Sequence, residues 1–147
     1  MIEIKEMMIQ DFEKIKDILI TDFDDFWTPD ILKNEILGEN KKYIVAKIDD
    51  EIVGFAGVMI VDKEMELMNI VTKKNKRSLG IGTSLLTNII KFAEKNNFEQ
   101  IFLEVNEENN IAIELYKKEG FENIGRRKKY YNSTNDAIIM SKKINNL

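Results

Sequence analysis

Met65-Glu66-Leu67-Met68-Asn69-Ile70-Val71 is followed, a short way on, by Arg77-Ser78-Leu79-Gly80-Ile81-Gly82. The first stretch is apolar and short enough to be one buried strand. Behind the second, Ile81, Leu85, Leu86, Ile89, Ile90 and Ala93 recur at helical spacing, so a helix begins at once. A strand that stops, a basic residue, two glycines and a helix N-terminus together make an anion cradle. The helix start offers backbone N–H groups without internal partners and the positive end of its dipole. Gly80 and Gly82 leave no side chain between those N–H groups and a phosphate. The pattern lacks the Gly-Lys-Ser/Thr ending of a Walker loop and the third glycine of a dinucleotide fingerprint. What stands here is R-x-x-G-x-G, which by itself is either an ordinary strand-to-helix turn or a cradle for a pyrophosphate.

Working outward, the segment before this stretch reads as strands. Ile2 and Ile4 alternate with Glu3 and Lys5 in Met1–Glu6; Tyr43–Ile48 and Glu51–Val61 are joined by a tight turn at Asp49-Asp50; a second turn at Asp62-Lys63 leads into the Met65–Val71 run. Three strands linked by short turns predict an antiparallel meander. Between the first strand and the meander, Phe12, Ile15, Ile18 and Leu19 mark one amphipathic helix with Asp11 as its cap. Thr28-Pro29 opens a second helix carrying Ile31, Leu32 and Ile36, which Gly38 ends. Beyond the central helix come a strand at Ile101–Val105, a helix from about Asn110 to Glu119 stopped by Gly120, and strands at Phe121–Gly125 and Ala137–Lys142. Arg126 to Asn135 is expected to be the loop between the last two. The sum is an α/β sandwich on a mixed, mainly antiparallel sheet with flanking helices, a single domain over residues 1–147.

Composition narrows the chemistry. The 147 residues are 44% hydrophobic and 33% charged, the balance of a globular domain large enough to bury a core. Cysteine and histidine are both absent, which removes disulfides, thiolate nucleophiles and thiolate metal sites, the serine triad and most zinc sites. Any reaction must use carboxylate, tyrosine, lysine, hydroxyl or backbone. A net charge of −4 argues against a nucleic-acid partner, and no apolar stretch has the length of a membrane span. The expectation is a cytoplasmic protein, a monomer or weak homodimer, with no metal and no membrane or nucleic-acid partner.

Two residues stand out as chemistry carriers. Glu104 lies inside the most apolar strand, Leu103-Glu104-Val105. It is either an exposed strand end or a general base whose pKa burial has raised. Tyr116 shares a helix face with Ala112 and Leu115, so it reads equally as core or as a proton donor. Asn109 reads as a plain N-cap. The run Arg126-Arg127-Lys128-Lys129 is either a nucleic-acid or ribosome patch or, the reading favoured, a solvated strand end. Asp22, Asp24 and Asp25 are either a solvated loop or an acidic mouth for a cationic acceptor.

These motifs stand in one order: Glu66-Leu67-Met68-Asn69-Ile70-Val71, Arg77 to Gly82, Leu103-Glu104-Val105, Asn109, Ala112-Ile113, Leu115-Tyr116, Gly120-Phe121, Arg127-Lys128-Lys129-Tyr130-Tyr131 and Asp136-Ala137. The order resembles the GNAT N-acetyltransferases, and within them the ribosomal-protein alanine N-acetyltransferases of the RimI type. Phe26-Trp27-Thr28 resembles that family's Pro-Trp-Ser. The resemblance implies acetyl-CoA as cofactor and a protein N-terminus, that of a ribosomal protein, as acceptor. Backbone at Ile70, Val71 and Thr72 would bind the pantetheine arm, with the Val71 N–H polarising the thioester carbonyl. Ser78, Leu79, Gly80, Ile81, Gly82 and Thr83 would hold the pyrophosphate, aided by Arg77, and Asn109 would hydrogen-bond the cofactor. Glu104 would be the base, directly or through water, and Tyr116 would protonate the departing thiolate. Phe26, Trp27, Asn69, Tyr130 and Tyr131 would meet the acceptor.

Three positions depart from the family pattern: Asn106 replaces an arginine, Glu108 a serine and Asn135 a glutamate. All three bear on the acceptor more than on the chemistry. Acetylation of a small amine such as a polyamine, or a non-catalytic acetyl-CoA sensor, are the alternatives.

Overall fold

A computed structural model of the chain describes residues 1–24, 28–131 and 134–144, with the backbone alone at 129–131. Its elements run β1 (Glu3–Glu6), α1 (Ile9–Ile15), α2 (Leu19–Asp22), α3 (Pro29–Ile36), β2 (Lys41–Ile48), β3 (Glu51–Val61) and β4 (Glu64–Thr72). After a single 3-10 turn at Lys74–Lys76 come α4 (Ile81–Lys95), β5 (Gln100–Asn106), α5 (Asn110–Lys118), β6 (Glu122–Tyr131) and β7 (Asn135–Lys143). The strands form one mixed sheet in the order β1-β2-β3-β4-β5-β7-β6. The β4–β5 pair is parallel; β1–β2, β2–β3, β5–β7 and β6–β7 are antiparallel. This is the expected α/β sandwich with a mainly antiparallel central sheet and flanking helices.

The meander follows from its turns. Asp49 and Asp50 both adopt positive φ (50° and 68°), the left-handed pair that a two-residue hairpin needs. Three expectations are corrected. The helix drawn through Phe12, Ile15, Ile18 and Leu19 is two helices, because α1 ends at Ile15 and α2 starts at Leu19. Asp11 is not the cap but the third residue of α1, its Oδ2 accepting the Met8 N–H at 2.8 Å while Lys47 sits 3.2 Å from Oδ1. That pairing explains a carboxylate with only 6% exposure. The segment Arg126–Asn135 is not a loop either: β6 runs on to Tyr131 and β7 begins at Asn135. Its unbroken run of positive charge, Arg126 to Lys129, hid a strand at the edge of the sheet, where one side needs no apolar cover.

The chain divides into two compact units, Met1–Ile60 with Met68–Ile89, and Val61–Leu67 with Ile90–Leu147. In the first, Phe12, Ile15, Leu19, Phe23, Leu32, Tyr43, Val45, Phe55 and Val71 form the core, each removing apolar surface worth about 1.5–3 kcal/mol from water. Gly54 belongs to this packing: a Cβ there would lie 2.8 Å from Ile81 Cγ2 and 2.9 Å from the Val71 carbonyl oxygen. The start of α4 therefore sits directly against β3. In the second unit the interior holds Met65, Leu67, Ile101, Leu103, Val105, Phe121 and Met140.

Candidate active site

The cradle is built in the first unit. Ser78 and Gly80 take positive φ (68° and 80°), turning the chain out of the 3-10 turn and into α4. Ser84 donates its N–H to the Gly80 carbonyl at 3.0 Å as the helix begins. Helix geometry leaves the N–H groups of Ile81, Gly82 and Thr83 without intrahelical acceptors. A Cβ added at Gly80 would meet no described residue within 4 Å, so among the described residues the space over the helix start is open. An open cradle lined by N–H donors fits a pyrophosphate. Leu79 is largely exposed beside it.

Arg77 has a partner that sequence reasoning missed. Its Nε donates to Asp24 Oδ1 at 3.0 Å, and Nη2 contacts the same oxygen. Asp24 is anchored in turn, its N–H donating to the Thr72 carbonyl at 3.0 Å, beside an isolated bridge between Phe23 and Lys73. The acidic segment is thus tied to the end of β4 at Thr72 and Lys73. Asp24, which could have drawn in a cation, already has its own, and Asp22 accepts from the Thr21 hydroxyl at 3.0 Å. Asp25, Phe26 and Trp27 lie outside the described residues.

Asn69, on β4, joins a buried polar chain. Tyr43, 3% exposed, donates its hydroxyl to Glu35 Oε1 at 2.9 Å, and Lys41 closes the other side of Glu35. A carboxylate only accepts, so the tyrosine proton points at Glu35 and its oxygen must accept from Asn69 Nδ2, at 3.0 Å. That fixes the amide: Oδ1 points away, buried and, among the described residues, without a hydrogen bond. The ring of Tyr43 occupies the space a side chain would need at Gly57, whose added Cβ would fall 2.1 Å from Cζ. Burial pushes the Tyr43 hydroxyl well above its usual range; the Asn69 hydrogen bond opposes the rise and Glu35 adds to it. Val71 is buried, with Ile70 and Thr72 half-buried on either side of it.

Glu104 is half-buried on β5, in the second unit. Arg127 Nε stands 2.9 Å from its Oε1, and Nη2 donates to Oε2 at 3.4 Å. The closer contact is one of charge, since Oε1 has no hydrogen bond aligned on it. The register explains the reach. Glu104 faces Ile139, and Arg127 faces Ala137, so the ion pair spans β7 on one face over small or aliphatic neighbours. Glu66, whose strand neighbour in register is Phe102, shares this face two residues away from Glu104. Burial first, and then the Glu104 charge, push its carboxyl upward, with Arg127 opposing. Nothing in the spacing of the sequence singled out Glu66 for chemistry; only strand register brings it beside Glu104.

Asn109 caps α5, its Oδ1 accepting the Ala112 N–H at 3.2 Å. Tyr116, 8% exposed, packs on Phe121 with ring centroids 5.8 Å apart. Gly120 ends that helix with φ 97°. Tyr130 and Tyr131 lie on β6, and their side chains fall outside the described residues.

Residues 9–121 match the model of the acetyltransferase (GNAT) family. The chain is 31% identical over 145 residues, 97% of its length and 95% of the other, to a protein of Bacillus subtilis (strain 168) assigned as a ribosomal protein bS18-alanine N-acetyltransferase. Among solved structures it resembles the ribosomal-protein-S18-alanine N-acetyltransferase from Escherichia coli, with TM-score 0.90 and 27% identity over 100% of this chain and 96% of that one. It also shares the fold of PaiA N-acetyltransferase from Thermoplasma acidophilum, solved in complex with coenzyme A, at TM-score 0.79 and 22% identity over 97% and 99% of the two chains.

Proposed function

The chain belongs to the GNAT acetyltransferase family, an N-acetyltransferase with acetyl-CoA as its donor, and from that premise we propose that it acetylates the N-terminal α-amino group of a protein. The acceptor is a ribosomal protein with an N-terminal alanine, met in the cytoplasm by a single acetyltransferase domain acting as a monomer or weak homodimer. One observation carries this reading: the similarity to the bS18-alanine N-acetyltransferase of Bacillus subtilis extends over 97% of the chain.

The chemistry follows from the residues at hand. With neither Cys nor His in the chain, an acyl-enzyme on those residues is impossible, and direct attack of the amine on the thioester is the available route. Glu104, held by Arg127 and with Oε1 accepting no hydrogen bond from the described residues, is the base. Tyr116 is the acid: a phenol with pKa near ~10 can protonate a thiolate whose conjugate acid lies near ~8.5. An α-amino group titrates near ~8 and a lysine near ~10.4, so a carboxylate base faces the smaller barrier with a chain N-terminus. The backbone at Ile70, Val71 and Thr72 receives the pantetheine, the N–H groups from Ser78 to Thr83 receive the pyrophosphate with Arg77 alongside, and Asn109 bonds the cofactor. Asn69 Oδ1, a buried acceptor without a partner among the described residues, suits an N–H of the arriving peptide; Phe26, Trp27, Tyr130 and Tyr131 complete the acceptor side.

The test is CoA release with peptides bearing free N-termini, the same peptides blocked at the N-terminus but with free lysines, and spermidine. Turnover confined to free N-termini is expected; turnover with spermidine alone moves the protein to the small-amine class. Glu104→Gln and Tyr116→Phe are each expected to lower kcat by about 100-fold or more with acetyl-CoA affinity nearly unchanged. Unaltered turnover in both would remove the assigned acid and base.

A further inference from the structure

An ammonium only donates hydrogen bonds and a carboxylate only accepts them, so a hydrogen-bonded chain that starts at such a pair has one direction. α3 and β2 start one in this protein. Lys41 donates to Glu35 Oε2, and Tyr43 donates its hydroxyl to Glu35 Oε1 at 2.9 Å. The Lys41 and Glu35 side chains keep only 16% and 15% of their surface exposed, and burial holds the proton on the Tyr43 hydroxyl. With that proton committed to Glu35, the Tyr43 oxygen accepts from Asn69 Nδ2 at 3.0 Å. The chain crosses β3, because Tyr43 pairs in register with Gly57 and its ring lies where a side chain would otherwise stand. Its far end is Asn69 Oδ1, shut off from solvent and, among the described residues, without a donor.

The same side chains have a second arrangement. If the Tyr43 proton turned to β4, the amide would flip, Oδ1 would accept that proton and Nδ2 would stand where Oδ1 now does. The end of the chain would then be a donor. Ionised Glu35, faced by Lys41, forbids this, since it would set a carboxylate against the lone pairs of the Tyr43 oxygen. A buried acceptor left unpaired is costly, and one N–H that reaches it removes the cost. A site of this kind rejects a ligand that lacks the matching donor.

We propose that Lys41, Glu35 and Tyr43 are positioning residues that fix Asn69 as a hydrogen-bond acceptor, so that the site selects a substrate offering a backbone N–H next to its reacting amine. This rests on the reading of the protein as an acetyltransferase of peptide N-termini. The group selected is the N–H that joins the first residue of the peptide to the second, the backbone N–H nearest the α-amine. Asn69 is suited to it by its place on β4, two residues before Val71, whose N–H that reading assigns to the thioester. The preference for a donor is thus set on α3 and β2, by groups that do not themselves touch the substrate.

The test compares two peptides with free N-termini, alike except that the link between their first two residues is an amide in one and an ester in the other. kcat/KM for acetyl transfer is measured with the full chain as wild type, Glu35→Gln and Tyr43→Phe, with spermidine alongside. The lower basicity of an amino ester enters every variant alike, and a ratio taken within one variant is untouched by a partly unfolded preparation. Wild type should prefer the amide about tenfold beyond that intrinsic difference. In Glu35→Gln the new amide gives its oxygen to Lys41, which can only donate, and its NH2 to the Tyr43 oxygen. The Tyr43 proton then turns to Asn69, the amide flips, and the preference should vanish or reverse. The change should appear in the KM of the peptide and leave the KM of acetyl-CoA unmoved. Tyr43→Phe frees the amide from any fixed direction and should cut the preference to about threefold. A folded Glu35→Gln that keeps the wild-type preference overturns the proposal and leaves N-terminal acetylation standing, as does a wild type with no preference. Should Glu35→Gln fail to fold, an undiminished preference in Tyr43→Phe overturns it. A wild type that acetylates spermidine but neither peptide, or no amine at all, overturns the underlying reading and the proposal with it.

Discussion

Asn135 donates its side-chain amide to Glu108 Oε1 at 3.1 Å, and the Glu108 N–H donates to Asn106 Oδ1 at 2.9 Å. These are the three positions at which the chain departs from the RimI-type pattern, and the fold joins them in one hydrogen-bonded unit. Beside them, Arg126 bridges Glu107 and Asp136, and the Asp136 N–H donates to Glu107 Oε2 at 2.8 Å. The departures therefore act as a set. Glutamate at position 135 would put a further carboxylate against Glu108.

Reverting one member alone should then cost more than reverting two. Asn135→Glu is expected to destabilise by about 0.5–1 kcal/mol through like-charge contact with Glu108. Glu108→Ser in the same chain should relieve it, giving a coupling of about 0.5–1 kcal/mol in a double-mutant cycle measured by urea unfolding. Additive effects would mean that the contact carries no energy.

Glu66 links pH to stability with a definite sign. Its carboxyl is raised by burial and by Glu104, with Arg127 opposing, so the folded protein binds that proton more tightly than the unfolded chain does. The stability it contributes is complete below the ordinary glutamate range and is lost as pH rises through the raised folded value. At neutral pH, Glu66→Gln should melt at a higher temperature than wild type, and the gap should close as the pH falls below about 4.3. A lower melting temperature at neutral pH would contradict this.

Gly57 is required by a ring, not by its own backbone. Because an added Cβ would fall 2.1 Å from Tyr43 Cζ, Gly57→Ala must displace Tyr43 and break its bonds to Glu35 and Asn69. The expected loss is about 3 kcal/mol in chemical denaturation, overpacking plus unsatisfied buried partners. Tyr43→Phe keeps the ring and should cost less, about 1–2 kcal/mol.

Gly80 tests the cradle from the opposite side. A Cβ there meets open space, yet φ is 80°, so Gly80→Ala costs about 1–2 kcal/mol of backbone strain and puts a methyl where the phosphates would lie. The KM for acetyl-CoA should rise about tenfold with kcat little changed, as expected for lost ground-state binding. An unaltered KM would place the pyrophosphate elsewhere.

Much of this protein is legible in one dimension. The R-x-x-G-x-G turn, the helical recurrence from Ile81 to Ala93 and the short turns at Asp49-Asp50 and Asp62-Lys63 are local signals, and local sterics and periodicity decide them. Where the reading failed, the deciding interaction was remote. Asp11 looked like a cap until the Met8 N–H and Lys47 claimed its two oxygens, and Arg126–Tyr131 looked like a loop until β7 paired with it.

The sequence by itself determined the family, the succession of seven strands, the strand-to-helix turn at Arg77–Gly82 and the exclusion of Cys and His from any chemistry, because each follows from residue type and near-neighbour spacing. Only the tertiary structure decided who stands beside whom. Arg77 meets Asp24, fifty-three positions away, Arg127 reaches Glu104 across β7, and Glu66 comes to the same face through strand register. Charges act through space at a few ångströms, and separation along the chain says nothing of that distance until the sheet is assembled.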